Sequence, residues 1–339
     1  MDKQPLQKGL KKRGLKVLIV KPSSLGDVVH SLPFLFTLKK CVPEARVHWV
    51  IADSLAGLLE GHLLIERLWV INKDNWKKPG RILETTREFR RLSKALKEEK
   101  FDFVFDLQGL LRSALITRAA KAPYRVGFRE AREGGPLFYT HRVEGGGKIH
   151  AVERYLKMAE FAGCRPELEF PLPRMEGYAP PPGEYAVILP GARWDSKRWP
   201  VQRFAELARR LPMRSVVLGG PSDMSLADRL VEQAGGKAVS LAGRSTLKEL
   251  VEIIRYSRFM VTNDSGPMHI AAALGIPVFA VFGPTDPALT GPYGKGPRVV
   301  VREAAKCAPC RKRRCNEMKC MDAVSVDMVH EEIKKEMHF

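Results

Sequence analysis

Three short segments carry side chains whose types and spacing suit chemistry on hydroxyl groups and anions. The first is Lys21-Pro-Ser-Ser-Leu-Gly-Asp27-Val-Val-His30, which directly follows an apolar run. Ser23, Ser24 and Gly26 permit a tight strand-to-helix turn, so Asp27 falls near the helix start. Two readings of Asp27 stay open. Asp is a preferred helix cap, and a carboxylate at the mouth of a crevice is also a general base that takes a proton from a hydroxyl. His30, one turn further on, reads as a packed or solvated helix residue.

The second segment, Gly191-Ala192-Arg193-Trp194-Asp195-Ser196-Lys197-Arg198-Trp199-Pro200, places several cations just before a helix begun by Pro200. Unpaired N–H groups at a helix start add to such cations and suit a diphosphate. Solvated surface charge is the competing reading, and the flanking Trp194 and Trp199 make a merely exposed loop less natural. In the third, Val261-Thr-Asn-Asp264-Ser265-Gly266-Pro-Met-His269, an apolar run ends at Asn263 and Ser265-Gly266 head a helix of small residues. That too is an anion-binding arrangement.

Elements must hold these segments in place. Apolar β-branched runs at 15–20, 46–51, 68–71, 101–107, 125–128, 185–190, 215–219, 238–241, 259–263 and 277–282 alternate with amphipathic stretches of helical period. Such alternation predicts an α/β protein of parallel sheets with helices on both faces. Three consecutive prolines and two glycines in RMEGYAPPPGE forbid a helix over 174–184 and mark a linker. Domains at 1–175 and 176–339 are therefore expected, with ligand bound outside the carboxyl ends of the strands.

Composition narrows the class. The 339 residues are 45% hydrophobic and 28% charged, so the chain reads as globular, with no need of a disulfide scaffold. The longest run free of charge, 265–285, is broken by glycines and prolines and does not read as a membrane span. The N-terminus is basic without an apolar core, which is unlike a secretory signal and points to a cytoplasmic protein. A net charge of +19 calls for an anionic partner. Basic residues do not interleave with stacking aromatics, which argues against nucleic acid. Dinucleotide, P-loop and His-Glu-x-x-His zinc motifs are absent, as is any Asp-x-Asp pair for a diphosphate-bridging ion. Cys41 and Cys164 read as isolated, whereas Cys307, Cys310, Cys315 and Cys320 form a C-x2-C-x4-C-x4-C cluster. That spacing allows either a structural zinc site or an exposed, basic thiol loop around Arg311–Arg314.

In this order the segments resemble the ADP-heptose:lipopolysaccharide heptosyltransferases, glycosyltransferase family 9, over nearly the whole chain. KPSSLGDVVHSLP at 21–33, DLQGLLRSA at 106–114, FREARE at 128–133, HAVER at 150–154 and the run 262–294 carry the resemblance. It implies a GT-B fold, two Rossmann-like doubly wound domains facing a central crevice. The domain at 1–175 would bind acceptor and that at 176–339 the nucleotide sugar, with the last helix packing back on the first domain. The implied reaction is an inverting, metal-independent transfer without a cofactor. It moves L-glycero-D-manno-heptose from ADP-L-glycero-β-D-manno-heptose to a 3-deoxy-D-manno-octulosonic acid (Kdo) residue of Kdo-lipid A.

The resemblance assigns Asp27 as the base and Lys197 to the donor's phosphates. Ala192, Arg193, Asp264, Ser265, Gly266 and His269 would line the diphosphate, Asp223 the ribose and Ser245 the adenine, with Ser24, Gln108 and Arg112 toward the acceptor. Ala192 and Arg193 stand where the family has paired threonines, so the diphosphate is expected to be held differently. First-half motifs favour the members that add the first heptose, while Asn-Asp-Ser-Gly is closer to those adding the second; another sugar-nucleotide transferase of the same fold is the further alternative. The family implies a place at the cytoplasmic face of the inner membrane; the sequence does not fix the oligomeric state, for which a monomer is favoured. Residues 1–175 hold 33 Lys and Arg against 20 Asp and Glu, and 176–339 hold 24 against 18, so an anionic membrane surface is expected to meet the first half.

Overall fold

The computed structural model describes residues 9, 10, 12–77, 79–303 and 305–339. The first eight residues of the basic N-terminal tail lie outside the described residues. The chain divides into two compact units, Met1–Pro173 and Arg174–Phe339.

In the first unit, β1 (Lys16–Val20), β2 (Arg46–Ala52), β3 (Arg67–Ile71), β4 (Phe103–Asp106), β5 (Tyr124–Phe128) and β6 (His141–Val143) form one sheet. Its order is β3-β2-β1-β4-β5-β6, and every neighbouring pair is parallel. Between the strands run α1 (Leu25–His30), α2 (Leu32–Cys41), α3 (Asp53–Leu59), α4 (Ile82–Glu98), α5 (Leu111–Ala119) and, after β6, α6 (Ala151–Phe161). β1 and β4 read as unbroken apolar runs because helices cover both faces of a parallel sheet; both strands are buried almost throughout.

The second unit repeats the plan. Its strands are β7 (Tyr185–Leu189), β8 (Arg214–Val217), β9 (Ala238–Ser240), β10 (Phe259–Asn263), β11 (Val278–Val281) and β12 (Arg298–Val301). Its helices are α7 (Val201–Arg210), α8 (Met224–Gln233), α9 (Leu247–Arg255), α10 (Gly266–Ala273), α11 (Pro287–Thr290), α12 (Lys319–Asp322) and α13 (Val326–Met337). The order β12-β11-β10-β7-β8-β9 is that of the first sheet, with β7 in the place of β1 and β10 in the place of β4. Each unit thus has the doubly wound order whose direction reverses between the first strand and the fourth, where such sheets bind ligands.

α13 buries Val326, Val329 and Ile333 in the second unit's core, against α7 and the β11–β12 edge. Two features depart from expectation. Cys41 and Cys164 are not isolated: α2 packs along α6, which brings their Cα atoms to 5.5 Å and joins them in a disulfide. β6 and β12 lie outside the predicted strands, the first because it is three residues long with a charge at its centre, the second because glycine and proline crowd its approach.

Candidate active site

The loop from β1 to α1 lies at the reversal point of the first sheet, where Val20 pairs with Asp106 of β4. Ser24 caps α1 and Asp27 sits three residues in, so Asp27 is not itself the cap. Its Oδ2 accepts from the Ser24 backbone N–H at 3.1 Å and the Ser24 hydroxyl at 2.7 Å. The other oxygen, Oδ1, accepts from the Tyr155 hydroxyl at 3.3 Å and lies 3.9 Å from the Lys21 ammonium. The carboxylate therefore keeps 39% of its side chain open while one oxygen is locked to the turn.

Beneath it the groups are buried. Lys21 donates to the Leu107 carbonyl at 3.3 Å and stands 5.0 Å from the centre of the Tyr155 ring. Burial pushes its ammonium below the usual lysine range, while the Asp27 and Asp106 carboxylates pull the other way. Burial, reinforced by the Asp27 charge, holds the Tyr155 hydroxyl protonated well beyond its ordinary range. Asp106, at the end of β4, accepts from the backbone N–H groups of Gln108 and Gly109 and from the Tyr139 hydroxyl at 2.7 Å. Burial nevertheless raises its pKa. These bonds fix the β4–α5 turn, and the Gln108 side chain in turn accepts from the Ser23 N–H at 3.3 Å. Arg112 is exposed on the first turn of α5, and His30 is buried edge-on to His150, the residue that caps α6.

The second cluster occupies the matching place in the other sheet, after β7 and β10. Asn263 ends β10 wholly buried; its Nδ2 donates to the Pro190 carbonyl and its Oδ1 accepts from the Trp199 N–H at 3.0 Å. The bend between β7 and α7 is thereby pinned to β10. Within it Lys197 donates to Asp264 Oδ2 at 2.6 Å, and Thr285 donates to the same oxygen at 2.5 Å. The pair is largely buried, 15% and 7% exposed, and the Lys197 ammonium lies 4.5 Å from the centre of the Trp194 ring. Next to Asp264, Ser265 caps α10, with Gly266 and Pro267 opening it and His269 buried one turn in.

The remaining candidates lie in other loops of the same unit or elsewhere in the β7–α7 loop. Ala192 is buried and accepts from Arg198 through its carbonyl, whereas Arg193 is exposed. Asp223 bonds the Gly220 N–H at 3.0 Å and hangs over Gly191, where a Cβ would fall 2.6 Å from its carboxyl carbon. The Ser245 hydroxyl oxygen is buried and has no hydrogen-bond partner among the described residues.

Of the two readings of the cysteine cluster, the structural zinc site finds no support. Among the described residues no group of three or more His, Cys, Asp or Glu is arranged to hold a metal ion. Cys307 and Cys315 are exposed, whereas Cys320 turns into the apolar core beside Met321, so the four thiols do not share one environment. Lys21, Tyr155 and Thr285 were not singled out by role from the sequence. Tyr155 follows directly on HAVER, but nothing local in sequence links α6 to Asp27, 128 residues away.

Two doubly wound sheets, each with a polar cluster at its reversal point, have the build of a GT-B-type glycosyltransferase. The family model for glycosyltransferase family 9 (heptosyltransferase) matches residues 89–321, and the chain belongs to that family. It is 36% identical over 322 residues to lipopolysaccharide heptosyltransferase 1 of Pseudomonas aeruginosa, covering 89% of this chain and 87% of that protein. The enzyme of the same name from Escherichia coli is 32% identical, over 84% of this chain and 93% of its own. Among solved structures, E. coli heptosyltransferase WaaC with ADP superimposes with a TM-score of 0.78 at 30% identity, over 95% of this chain and all (100%) of that one. E. coli ADP-heptose lps heptosyltransferase II gives 0.76 at 26% identity, over 96% and 99%.

Proposed function

We propose that this chain transfers a heptosyl residue from ADP-L-glycero-β-D-manno-heptose to a Kdo residue of Kdo-lipid A, with inversion at the anomeric carbon. The chain is a glycosyltransferase of the heptosyltransferase family, and its similarity to heptosyltransferase 1 enzymes of several species supports the first-heptose reaction. The single observation that carries the chemical reading is the buried Lys197–Asp264 pair beside the start of α10. A cation held by a carboxylate at a helix N-terminus is preorganised for a diphosphate.

In this reading residues 1–175 bind the acceptor and 176–339 the donor. Asp27 Oδ1 takes the proton of the attacking Kdo hydroxyl. The hydroxyl oxygen bonds to the anomeric carbon as the bond from that carbon to the diphosphate breaks, and ADP departs. Lys197, Arg193 and the N–H groups of Ser265 and Gly266 meet the charge that develops on the leaving phosphate. Asp264 acts by holding Lys197, His269 supports the same helix start, and the Ala192 backbone borders the phosphates. Asp223 receives the ribose and Ser245 the adenine edge, while Ser24, Gln108 and Arg112 face the acceptor. We place the protein, as a monomer, at the cytoplasmic face of the inner membrane. Among the described residues no helix is long and apolar enough to cross a membrane.

A transfer assay with ADP-heptose against two acceptors tests the assignment. Product is expected with Kdo-lipid A and not with acceptor that already carries the first heptose. The Asn263-Asp264-Ser265-Gly266 wording keeps the second-heptose reading alive, and transfer to the heptosylated acceptor alone would establish it.

A further inference from the structure

The segment after β12 carries Arg311-Lys312-Arg313-Arg314 between the cysteines, and the reaction outlined above gives it no part. Several of its attachments lead to the donor cluster. The Ser196 hydroxyl, one residue before Lys197, donates to the Lys312 carbonyl at 2.6 Å. The Arg311 N–H donates at 2.8 Å to the carbonyl of Pro284, the neighbour of the Thr285 that holds Asp264. Further along, Cys320 and Met321 pack where Gly283 leaves no room for a side chain, and the Val324 carbonyl accepts from the Trp199 indole at 2.9 Å. The basic run is thus strapped across the bend that carries Lys197.

Arg313 is the member that the strap delivers to the cluster. Its guanidinium lies 5.6 Å from the centre of the Trp194 ring, the same ring that the Lys197 ammonium meets at 4.5 Å. Two cations on one indole repel each other. Lys197 is compensated by Asp264, but Arg313 is exposed and has no carboxylate partner among the described residues. A planar fork of donors left uncompensated beside a fixed lysine fits a phosphate that both can reach.

We propose that Arg313 is a donor-binding residue, presented by the cysteine-flanked strap to the diphosphate of the nucleotide sugar, where it works with Lys197 beside the Trp194 ring. This rests on the donor site described under the proposed function and extends it to a segment outside the β7–α7 and β10–α10 turns.

Calorimetric titration of the full chain with ADP and with AMP tests the proposal. Arg313→Ala is expected to weaken ADP binding about tenfold, in keeping with loss of one charge-assisted bond, and to change AMP binding much less. Arg313→Lys should recover part of the loss, and KM for ADP-heptose should rise in the alanine variant while KM for the acceptor stays put. Arg314→Ala is the control for a general effect of charge on the strap and should bind ADP as the unaltered chain does. An Arg313→Ala chain with unchanged ADP affinity, or with equal losses for ADP and AMP, overturns the proposal. An unaltered chain that folds and binds neither nucleotide overturns the donor site itself, a result distinct from the first two.

Discussion

The Asp27 carboxylate divides its oxygens between two sets of partners. Oδ2 is bonded to the Ser24 turn, whereas Oδ1 faces a tyrosine and a buried lysine, and the side chain as a whole is 39% exposed. Helix-capping and base readings are therefore compatible. The sequence alone could not show that both oxygens are engaged, because one partner, Tyr155, comes from a helix remote in the chain. Lys197 and Asp264 were legible as separate candidates in two loops; that they form one buried pair, with Thr285 on the same oxygen, was not. Glycine tests the geometry around the proposed ribose contact. Because a Cβ at Gly191 would fall 2.6 Å from the Asp223 carboxyl carbon, Gly191→Ala must displace Asp223. Donor KM should rise roughly tenfold, the equivalent of about 1.4 kcal/mol, with the melting temperature little changed. An unaltered KM would remove Asp223 from the donor site.

Elements were the most legible level. Apolar runs located ten of the strands because strands covered on both faces need continuous burial, and the turns after β1, β7 and β10 were marked by small residues. What escaped were β6 and β12, short edge strands that add little burial, and the Cys41–Cys164 link, which depends on how α2 lies along α6. Asp106 shows how an element end is held: one buried carboxyl gathers the β4–α5 turn and Tyr139. Its pKa is raised above the ordinary 3.8 by burial, so its stabilisation is complete below that value and is lost as pH climbs through the folded-state value. Asn keeps an acceptor for the two turn N–H groups and does not titrate. The stability of Asp106→Asn relative to the unaltered chain should therefore improve as pH rises from 3 toward neutrality, read as the difference between their urea midpoints. A difference that stays flat with pH would contradict the role given to Asp106.

For the molecule as a whole, the repeated strand order explains why a polar cluster arises at the equivalent place in each of the two sheets. Net charge acquires a place as well. Arg87, Arg90, Arg91, Lys94 and Lys97 are all exposed on α4, in the half that carries most of the excess positive charge. Basic residues near an anionic leaflet contribute about 1 kcal/mol each, so co-sedimentation with vesicles should increase with acidic lipid and fall with salt. Binding indifferent to lipid charge would show that the +19 serves another end.

The proposed transfer is addressed most directly by Asp27→Asn, since the amide keeps the shape of the carboxylate but cannot accept the proton. Initial rates of ADP release from ADP-heptose should be measured with Kdo-lipid A present, together with ADP affinity. A fall in kcat of about 10²–10⁴-fold with unchanged ADP affinity is predicted. An Asn variant that turns over within a few-fold of the unaltered enzyme would contradict the assignment of Asp27 as the base.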